Sequence, residues 1–387
     1  MSSKRDGEVI VPGATIGILG GGQLGRMMAL AGRPMGYRFV CLDPTPDSSC
    51  AQVCDEQIVA PFDDVDAARE LVNLASVVTY EFENISPAVA AVLQDESYLP
   101  QGTQLLRTTR HRAREKRAII AAGAQVASFA EISDQALFEK ALEKLGVPSV
   151  LKTATGGYDG KGQRVIKDIG AGAQAYTTLA DQGDLVLERF IDFQCELSVV
   201  VARGTTGERM TFPVAENIHV DNRLHLSIAP ARVGDDIKEE VSEIALAIAD
   251  SLDMVGLLGI EFFLGRDGEI YVNEMAPRPH NSGHYTMDGC LTSQFEQHLR
   301  AICGLPLGNP HQHTPVVMAN LLGQHVEPWL EQLVKPRPSN LELKTHLYGK
   351  SPAREGRKMG HVNILADDVE EALQWVESCS VWSDLQS

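Results

Sequence analysis

A glycine-rich loop with a lysine near each end could bind a polyphosphate. The segment Lys152 to Gln163 reads K-T-A-T-G-G-Y-D-G-K-G-Q and follows a short apolar run, 147–151. Glycine lets backbone N–H groups crowd around an anion, and Lys161 adds a positive charge. It is not a Walker A loop, because Thr155 and Gly162 stand where that motif needs its first glycine and its Ser or Thr. A glycine-rich β-hairpin turn is the alternative interpretation.

Two glutamates further along could hold a divalent cation. Asp267-Gly268 separates two apolar runs, which predicts a β-hairpin with a two-residue type I′ turn. Such a turn pairs Arg266 with Glu269. The same register places Glu261 opposite Glu274, with Cβ atoms about 5 Å apart. Like charges so placed repel unless a cation lies between them, and Mg²⁺ takes carboxylate oxygens. A register slip of one residue would instead send the two carboxylates to opposite faces.

The elements that must position these groups begin with alternating strands and helices in the first hundred residues. Helical segments are predicted after Gly25 and around 65–74. Short apolar runs predict strands at 15–19, 37–42, 58–59 and 77–80. This alternation predicts a parallel sheet.

The turn after the first strand suggests an alternative function. Gly20-x-Gly22-x-x-Gly25 satisfies the dinucleotide-binding fingerprint, and Asp43 stands near the distance expected of a ribose-binding acid. A nicotinamide-dependent oxidoreductase is therefore an alternative. No later segment supplies a site for hydride transfer.

The remaining chain carries two basic segments. A helix is predicted over 108–122, and most of its Arg and Lys side chains are expected to form a solvated face. Another helix, which is amphipathic and not one of the basic segments, is predicted over 237–252. The loop 350–358 is basic, and its charges are either ordinary solvated surface or an anion site.

The remaining elements complete the predicted architecture. Strands are predicted at 185–188, 197–202, 316–322, 342–347 and 361–365, with a terminal helix over 369–377.

Composition excludes several classes of protein. The 387 residues carry a net charge of −18, which argues against nonspecific binding to nucleic acid or membranes. No apolar run approaches the ~20 residues of a membrane span, and the N-terminus is not expected to be a signal peptide. Seven cysteines are scattered; only Cys50 and Cys54 lie close together, without the spacing of a zinc site. Free thiols in a reducing cytosol fit this pattern.

Five motifs together resemble one family. I-G-I-L-G-G-G-Q-L-G-R-M, T-Y-E-F-E-N-I, G-G-Y-D-G-K-G-Q, N-E-M-A-P-R-P-H-N-S-G-H and G-R-K-M-G-H-V-N extend from Ile16 to Asn363. They resemble the N5-carboxyaminoimidazole ribonucleotide synthetase family of the ATP-grasp superfamily. The resemblance implies a mixed α/β and α+β fold and a cytoplasmic homodimer. The implied parts are a Rossmann-like parallel-sheet domain (1–107), an ATP-grasp domain (108–302) and a small β-rich C-terminal domain (303–387).

The resemblance also implies the reaction. ATP, bicarbonate and 5-aminoimidazole ribonucleotide would give ADP, phosphate and the N5-carbamate in purine biosynthesis, with Mg²⁺ as the metal. Bicarbonate is a poor electrophile, so carboxyphosphate would form first, in a site that keeps water out. The formate-using glycinamide ribonucleotide transformylase is the nearest alternative. That enzyme shares the pattern of Glu81, Glu261, Glu274, Lys350 and Arg357. The motifs Y-D-G-K-G-Q and P-H-N-S-G-H, however, favour the carboxylating family.

Roles for individual residues follow from the same resemblance. Those implied for the nucleotide phosphates are Arg112, Lys152, Gly157, Tyr158, Asp159, Gly160, Lys161, Gly162 and Gln163. Adenine would face Glu188, Arg189, Phe190 and Ile191, and the ribose hydroxyls would bind Glu196, with His219 nearby. Glu261 and Glu274 would hold Mg²⁺, with Asn273 beside them. Bicarbonate and carboxyphosphate would be held by Arg278, His280 and Asn281, which with Asp159 form the implied catalytic set. The aminoimidazole ribonucleotide would contact Gln23, Leu24, Glu81, Tyr158, Asp159, Lys350, Arg357 and Lys358.

Overall fold

The computed structural model describes residues 8–157, 161–336 and 338–385. Over these ranges the strands form three sheets with helices packed against them, which confirms the predicted mixed α/β and α+β class. The predicted site residues Tyr158, Asp159 and Gly160 lie outside the described ranges. None of the described helices is both long enough and apolar enough to cross a bilayer.

The N-terminal sheet is parallel, as the alternating pattern predicts. Its elements are β1 (Thr15–Leu19), α1 (Gln23–Gly32), β2 (Arg38–Leu42), β3 (Glu56–Ile58), α2 (Val65–Leu74), β4 (Val77–Tyr80) and α3 (Pro87–Glu96). The strand order is β3-β2-β1-β4. Side chains such as Ile18 and Leu19 alternate between two apolar cores, one on each face of the sheet. Gly20 has a φ of +117°, a conformation that lets the chain turn directly from β1 toward α1.

A second, four-stranded antiparallel sheet follows the predicted basic helix. The elements are α4 (Gln104–Thr109), α5 (Arg112–Ala121), β5 (Phe129–Ile132), α6 (Gln135–Leu145), β6 (Ser149–Thr153), β7 (Gln163–Ile166), α7 (Gly172–Leu179) and β8 (Leu185–Arg189). The order of its strands is β5-β8-β6-β7. The single helix predicted over 108–122 is wrong, because the helix breaks near Arg110. The N–H of Arg112 donates to the carbonyl of Ala154, which ties the start of α5 to this sheet.

The third sheet has nine strands and extends into the C-terminal part. Its elements are β9 (Phe193–Arg203), β10 (Arg209–Thr211), β11 (Ala215–Val220), β12 (Arg223–Ala229), α8 (Asp235–Ser251), β13 (Gly256–Gly265), β14 (Ile270–Ala276), α9 (Thr286–Gly289), α10 (Gln294–Ile302), β15 (Val316–Leu322), α11 (Val326–Leu333), β16 (Glu342–Leu347), β17 (Lys358–Leu365) and α12 (Val369–Ser378). Its main path is β14-β13-β9-β11-β12-β15-β17-β16, with β10 paired to β9. The strands predicted at 316–322 and 342–347 are confirmed, whereas the last strand begins earlier, at Lys358.

Candidate active site

A cleft of about 800 Å³ is lined by residues of the second and third sheets, by the first residues of α1 and by the segment after β4. Most of the predicted site residues line it: Gln23, Leu24, Glu81, Arg112, Lys152, Gly157, Lys161, Gln163, Glu188, Arg189, Phe190, Ile191, Glu196, His219, Glu261, Asn273, Glu274, Arg278, His280, Asn281 and Lys358. Among the other predicted residues that the structure describes, Gly162, Lys350 and Arg357 lie outside this lining.

The hairpin turn differs from the prediction. Gly268 N donates to Gly265 O and Gly265 N donates to Glu269 O, so the loop has three residues, 266–268. Gly268 has a φ of +84°, whereas Asp267 has a negative φ. The predicted type I′ turn is therefore wrong, because that turn needs positive φ at both central residues. A type I turn followed by a left-handed glycine explains the three-residue loop.

A β-bulge restores the predicted pairing of the two glutamates. Between the turn and the bulge the register differs from the prediction by one residue. Phe262 pairs with Val272 there, whereas the predicted register pairs it with Asn273. The bulge leaves Asn273 without a partner on β13, so that Glu261 then lies opposite Glu274, as predicted. Bulges re-aim side chains beside active sites. Here Asn273 and Glu274 are both half-buried and line the cleft.

Glu261 and Glu274 form a carboxylate pair with little compensating charge. Burial, followed by the charge of Glu274, raises the pKa of Glu261 to about 7. Arg112 Nη1 lies 3.5 Å from Glu274, and His280 Nε2 lies 3.6 Å from Glu261. Burial lowers the pKa of His280 well below its ordinary value, so it adds no charge at neutral pH. Two carboxylates and the amide oxygen of Asn273 are hard donors, and this set fits Mg²⁺.

The opposite wall carries a buried glutamate that is already compensated. Lys152 Nζ and Lys116 Nζ lie 3.0 and 3.2 Å from the same Oε2 atom of Glu188. Burial alone would raise the pKa of Glu188, but the two lysines lower it to about 2. Glu188 therefore holds two ammonium groups at this end of the cleft, where they could face the phosphates of a ligand. This side-chain role goes beyond the backbone contact to adenine that the resemblance implies.

A carboxylate and an imidazole lie together on neighbouring strands. Glu196 on β9 and His219 on β11 approach to 3.0 Å between Oε2 and Nδ1. Burial opposes the charged imidazole, but Glu196 and Glu261 outweigh it and raise the pKa of His219. Phe190 and Ile191 also line the cleft. An acceptor carboxylate beside an apolar surface is suited to a ribose next to a purine ring.

The segment after β14 presents three polar side chains to the cleft. Arg278 Nε forms an ion pair of 2.7 Å with Glu83. Asn281 exchanges two amide hydrogen bonds, of 3.1 and 3.0 Å, with Asn320 on β15. His280 lies close to Glu261, as described above. These contacts order the three side chains beside the carboxylate pair.

The N-terminal glycine loop binds carboxylates of the protein itself. Glu81 accepts hydrogen bonds from Gly22 N and, at 2.7 Å, from Gly25 N, and Asp43 accepts one from Gly21 N at 2.8 Å. A Cβ atom at Gly22 would lie 2.7 Å from Glu81 Oε1, so glycine is needed for this approach. A dinucleotide would place its pyrophosphate at this helix N-terminus. The arrangement therefore argues against the oxidoreductase alternative.

The basic loop lies close to Glu81. Lys350 Nζ donates to the carbonyl of Lys358 at 3.0 Å, and Lys358 lines the cleft. Burial and the charge of Arg357 lower the pKa of Lys350 to about 8, while the charge of Glu81 opposes that change. Arg357 Nη1 donates to the carbonyl oxygens of residues 351 and 352, which fixes the guanidinium at the loop. Glu81 and the cations of this loop thus form one region.

Three family models match successive parts of the chain. Residues 13–107 match the ribonucleotide synthetase preATP-grasp domain, and residues 117–295 match the ATP-grasp domain. Residues 316–375 match the phosphoribosylaminoimidazole carboxylase C-terminal domain. The N5-carboxyaminoimidazole ribonucleotide synthase of Bacillus subtilis (strain 168) is 48% identical over 368 residues, 95% of each chain.

The chain belongs to the N5-carboxyaminoimidazole ribonucleotide synthase family. Staphylococcus aureus (strain COL) has a relative with the same name that is 40% identical over 366 residues, 94% of this chain and 95% of the relative. Solved structures agree with this assignment. An N5-carboxyaminoimidazole ribonucleotide synthetase in complex with ADP has a TM-score of 0.95 and 50% identity, covering 98% of this chain and 100% of that one. The Aspergillus clavatus synthase in complex with ADP and aminoimidazole ribonucleotide has a TM-score of 0.86 and 31% identity, covering 95% and 97%.

In this member of the synthase family, α5 carries two site residues that the sequence analysis missed. Lys116, expected on a solvated face, is only 2% exposed and contacts Glu188. Glu115 is also buried, and its carboxylate accepts a hydrogen bond of 2.7 Å from Met275 N. Burial and the charge of Glu274 raise the pKa of Glu115 to about 8. With Arg112 these residues are spaced i, i+3, i+4, which places them on one helix face and was the available signal.

Proposed function

We propose that the chain is an ATP-dependent carbon–nitrogen ligase of purine biosynthesis. It carboxylates 5-aminoimidazole ribonucleotide with bicarbonate and gives N5-carboxyaminoimidazole ribonucleotide, ADP and phosphate. One observation carries the proposal: a single cleft joins the Lys152–Glu188 contact, the Glu261–Glu274 pair and the region of Glu81 and Lys358. This cleft offers cation and anion sites for a nucleotide and a further end for a second substrate. The 48% identity to a named synthase supports it.

ATP would lie between the small sheet and the β13–β14 hairpin. Arg112, Lys152 and the glycine-rich loop would bind its phosphates, and residues 188–191 and Glu196 would bind adenosine. Glu261 and Glu274, with Asn273 beside them, would hold Mg²⁺, which supplies neutralising charge at the phosphate oxygens. The same proposal divides the chain into three domains, with boundaries between residues 107 and 108 and between residues 302 and 303.

Arg278, His280 and Asn281 would orient bicarbonate beside the γ-phosphate. A bicarbonate oxygen forms a bond to the γ-phosphorus while the bond from that phosphorus to the bridging oxygen of ADP breaks. The bond between the carbon of carboxyphosphate and its bridging oxygen then breaks, and the carboxyl proton goes to the phosphate that leaves. The released CO₂ forms a bond to the amine nitrogen of the ribonucleotide, and the proton that this nitrogen loses passes to the phosphate. Charge-assisted hydrogen bonds from Arg278 would stabilise the negative charge that develops. His280 is neutral, so it would act as a hydrogen-bonding partner without adding charge.

The ribonucleotide would occupy the end of the cleft near the N-terminal loop. Glu81 uses one lone pair of each oxygen for the loop, which leaves acceptor capacity for the substrate's amine. Lys350, Arg357 and Lys358 would bind its phosphate. Gln23 and Leu24 would face it across the loop after β1.

The test is ATP hydrolysis by the purified protein with Mg²⁺. Hydrolysis should be much faster when aminoimidazole ribonucleotide and bicarbonate are both present than with either alone. Stimulation by glycinamide ribonucleotide and formate, without stimulation by the aminoimidazole substrate, would assign the chain to the transformylase instead. The proposal includes a cytoplasmic homodimer, so light scattering should give twice the chain mass of 42.0 kDa.

A further inference from the structure

Three cysteines from two segments meet beneath the N-terminal glycine loop. Cys41 lies on β2, and Cys50 and Cys54 flank one turn of 3-10 helix. Their sulfur atoms all lie within 4.8 Å of one another, and those of Cys50 and Cys54 are 3.3 Å apart. In the sequence only Cys50 and Cys54 lie close together, and nothing in the spacing connects them with Cys41.

We propose that Cys41, Cys50 and Cys54 form a binding site for a thiophilic cation of the zinc class. Zinc–sulfur bonds are about 2.3 Å long, so three sulfurs around one ion lie about 4 Å apart. The cluster reaches this arrangement if the contact between Cys50 and Cys54 opens slightly. A donor set made only of sulfur selects Zn²⁺, Cd²⁺ or Cu⁺ and rejects Mg²⁺. The site is therefore chemically separate from the carboxylate pair in the cleft.

The fold holds the three donors in place and leaves a way in. Cys41 pairs with Ile18 on one side and Gln57 on the other, so it lies on a strand within the sheet. The N–H of Cys54 donates to the carbonyl of Cys50 at 3.1 Å. Cys41 and Cys50 are fully buried, whereas Cys54 is half-buried and provides an entry path for an ion.

The cluster also supports the glycine loop. Cys50 N donates to the carbonyl of Gly21 at 2.8 Å, and a Cβ atom at Gly25 would lie 3.1 Å from Cys50 Sγ. A bound cation would therefore fix the loop that holds Glu81. Cation binding itself does not depend on the proposed function and can be measured without turnover.

The experiment uses the full-length protein, reduced, freed of metal with a chelator and kept anaerobic. Cd²⁺ is titrated while the ultraviolet charge-transfer absorption of cadmium thiolates is followed, and Zn²⁺ is then added as a competitor. We expect one Cd²⁺ per chain. Cys41→Ser and Cys54→Ser should weaken binding at least ~10–100-fold, by analogy with the loss of partners at metal sites. Cys290→Ser, which changes another buried cysteine far from the cluster, should bind as the wild type does.

Three results would overturn the proposal. The first is an absence of thiolate absorption on titration. The second is equal absorption and affinity in Cys41→Ser, Cys54→Ser and Cys290→Ser, which would place the ion elsewhere. In the third, peptide mapping finds a Cys50–Cys54 disulfide in the isolated protein and the reduced protein takes up no Cd²⁺, which makes the cluster a redox pair. Because Cys54 is half-buried, Cys54→Ser is expected to keep its fold, and a circular dichroism melt checks this.

Discussion

Two groups of buried charge line the cleft, and they differ in how the protein compensates them. On the small sheet, Glu188 lies between Lys116 and Lys152, and its pKa is about 2. On the hairpin, Glu261 faces Glu274, and its pKa is about 7. Both glutamates are strongly desolvated, so the difference comes from their neighbours. The first group is compensated by two lysines in contact with one carboxylate, whereas Arg112, at 3.5 Å from Glu274, compensates the second only in part.

This difference separates stability from ligand binding. Compensated charges such as those around Glu188 support the fold, because removing one partner leaves the others buried without compensation. Charges with little compensation, such as the Glu261–Glu274 pair, destabilise the ligand-free protein and gain most when a cation binds. Four variants test this comparison, from the largest expected effect to the smallest.

Glu188→Gln should have the largest effect, on stability. It leaves the ammonium groups of Lys116 and Lys152 without their carboxylate, so unfolding free energy should fall by about 3–5 kcal/mol. The depressed pKa of Glu188 stabilises the fold above pH 4.5, and this contribution is lost as pH falls toward 2. The deficit should therefore shrink in acid. Urea denaturation at several pH values measures it, with the exposed Glu143→Gln as control; equal midpoints for the two variants would contradict the role of Glu188.

Glu274→Gln should have its main effect on turnover. Removing one of the two carboxylates proposed to bind Mg²⁺ should lower kcat by roughly 10²–10³, the range found when one stabilising group is removed from a polar active site. The melting temperature of the Mg²⁺-free protein should be kept or rise slightly, because a like-charge repulsion disappears. Steady-state kinetics and a thermal melt measure both quantities. Glu269→Gln, an exposed change on the same hairpin, is the matched control, and near-normal turnover of Glu274→Gln at ordinary Mg²⁺ would remove the metal role.

Glu261→Gln should reveal a pH dependence opposite to that of Glu188. The raised pKa of Glu261 means that the wild type loses stability as pH rises from 4.5 to about 7. At about 1.4 kcal/mol per pH unit, the variant should gain at most about 3 kcal/mol over the wild type above pH 7. Mg²⁺ should stabilise the wild type more than the variant. Denaturation curves from pH 5 to 8 test this, and parallel pH profiles for the two proteins would show that Glu261 carries no such penalty.

Arg357→Ala should have the smallest effect and should leave both charge groups intact. A hydrogen bond to a charged group contributes about 1.5–3 kcal/mol, so the KM for aminoimidazole ribonucleotide should rise roughly tenfold to a hundredfold. The KM for ATP should barely change, because Arg357 lies outside the ATP end of the cleft. Arg357→Lys should recover part of the loss, since lysine cannot bind phosphate bidentately.

Paired substrate titrations distinguish the outcomes for Arg357. Arg354→Ala, an exposed change in the same loop, is the control. A loss of ATP affinity alone would assign the loop to the nucleotide. No change in either KM would make Arg357 an ordinary surface residue.

The hairpin shows how far a site can be predicted from local pattern. The pairing of Glu261 with Glu274 is confirmed, although the turn type is wrong. A three-residue loop moves the register by one residue, and the bulge at Asn273 moves it back. Alternation of side chains along a strand carries no signal for a bulge, because no residue type requires one at that position. The predicted pairing is therefore correct because the register shift at the three-residue loop and the opposite shift at the bulge cancel.

The missed residues on α5 and β2 have a shared cause. Lys116 can be buried because Glu188 lies beside it, and Cys41 joins Cys50 and Cys54 because β2 packs beside the turn they flank. Each contact joins residues that belong to different elements of the fold. Local composition can show that a helix is basic or that cysteines are scattered, but it cannot show which of them meet.

By itself the sequence determined the parallel N-terminal sheet and the glycine loops. These features depend on apolar periodicity and on backbone freedom at glycine, which are local properties. Most of the predicted residues that line the cleft came instead from the resemblance of the motifs to a known family. Only the tertiary structure decided that Glu81 occupies the glycine loop, that Glu188 is compensated and that Glu261 is not. The physical reason is that the electrostatic energy of a buried charge depends on its distances to groups from other segments, which only folding brings together.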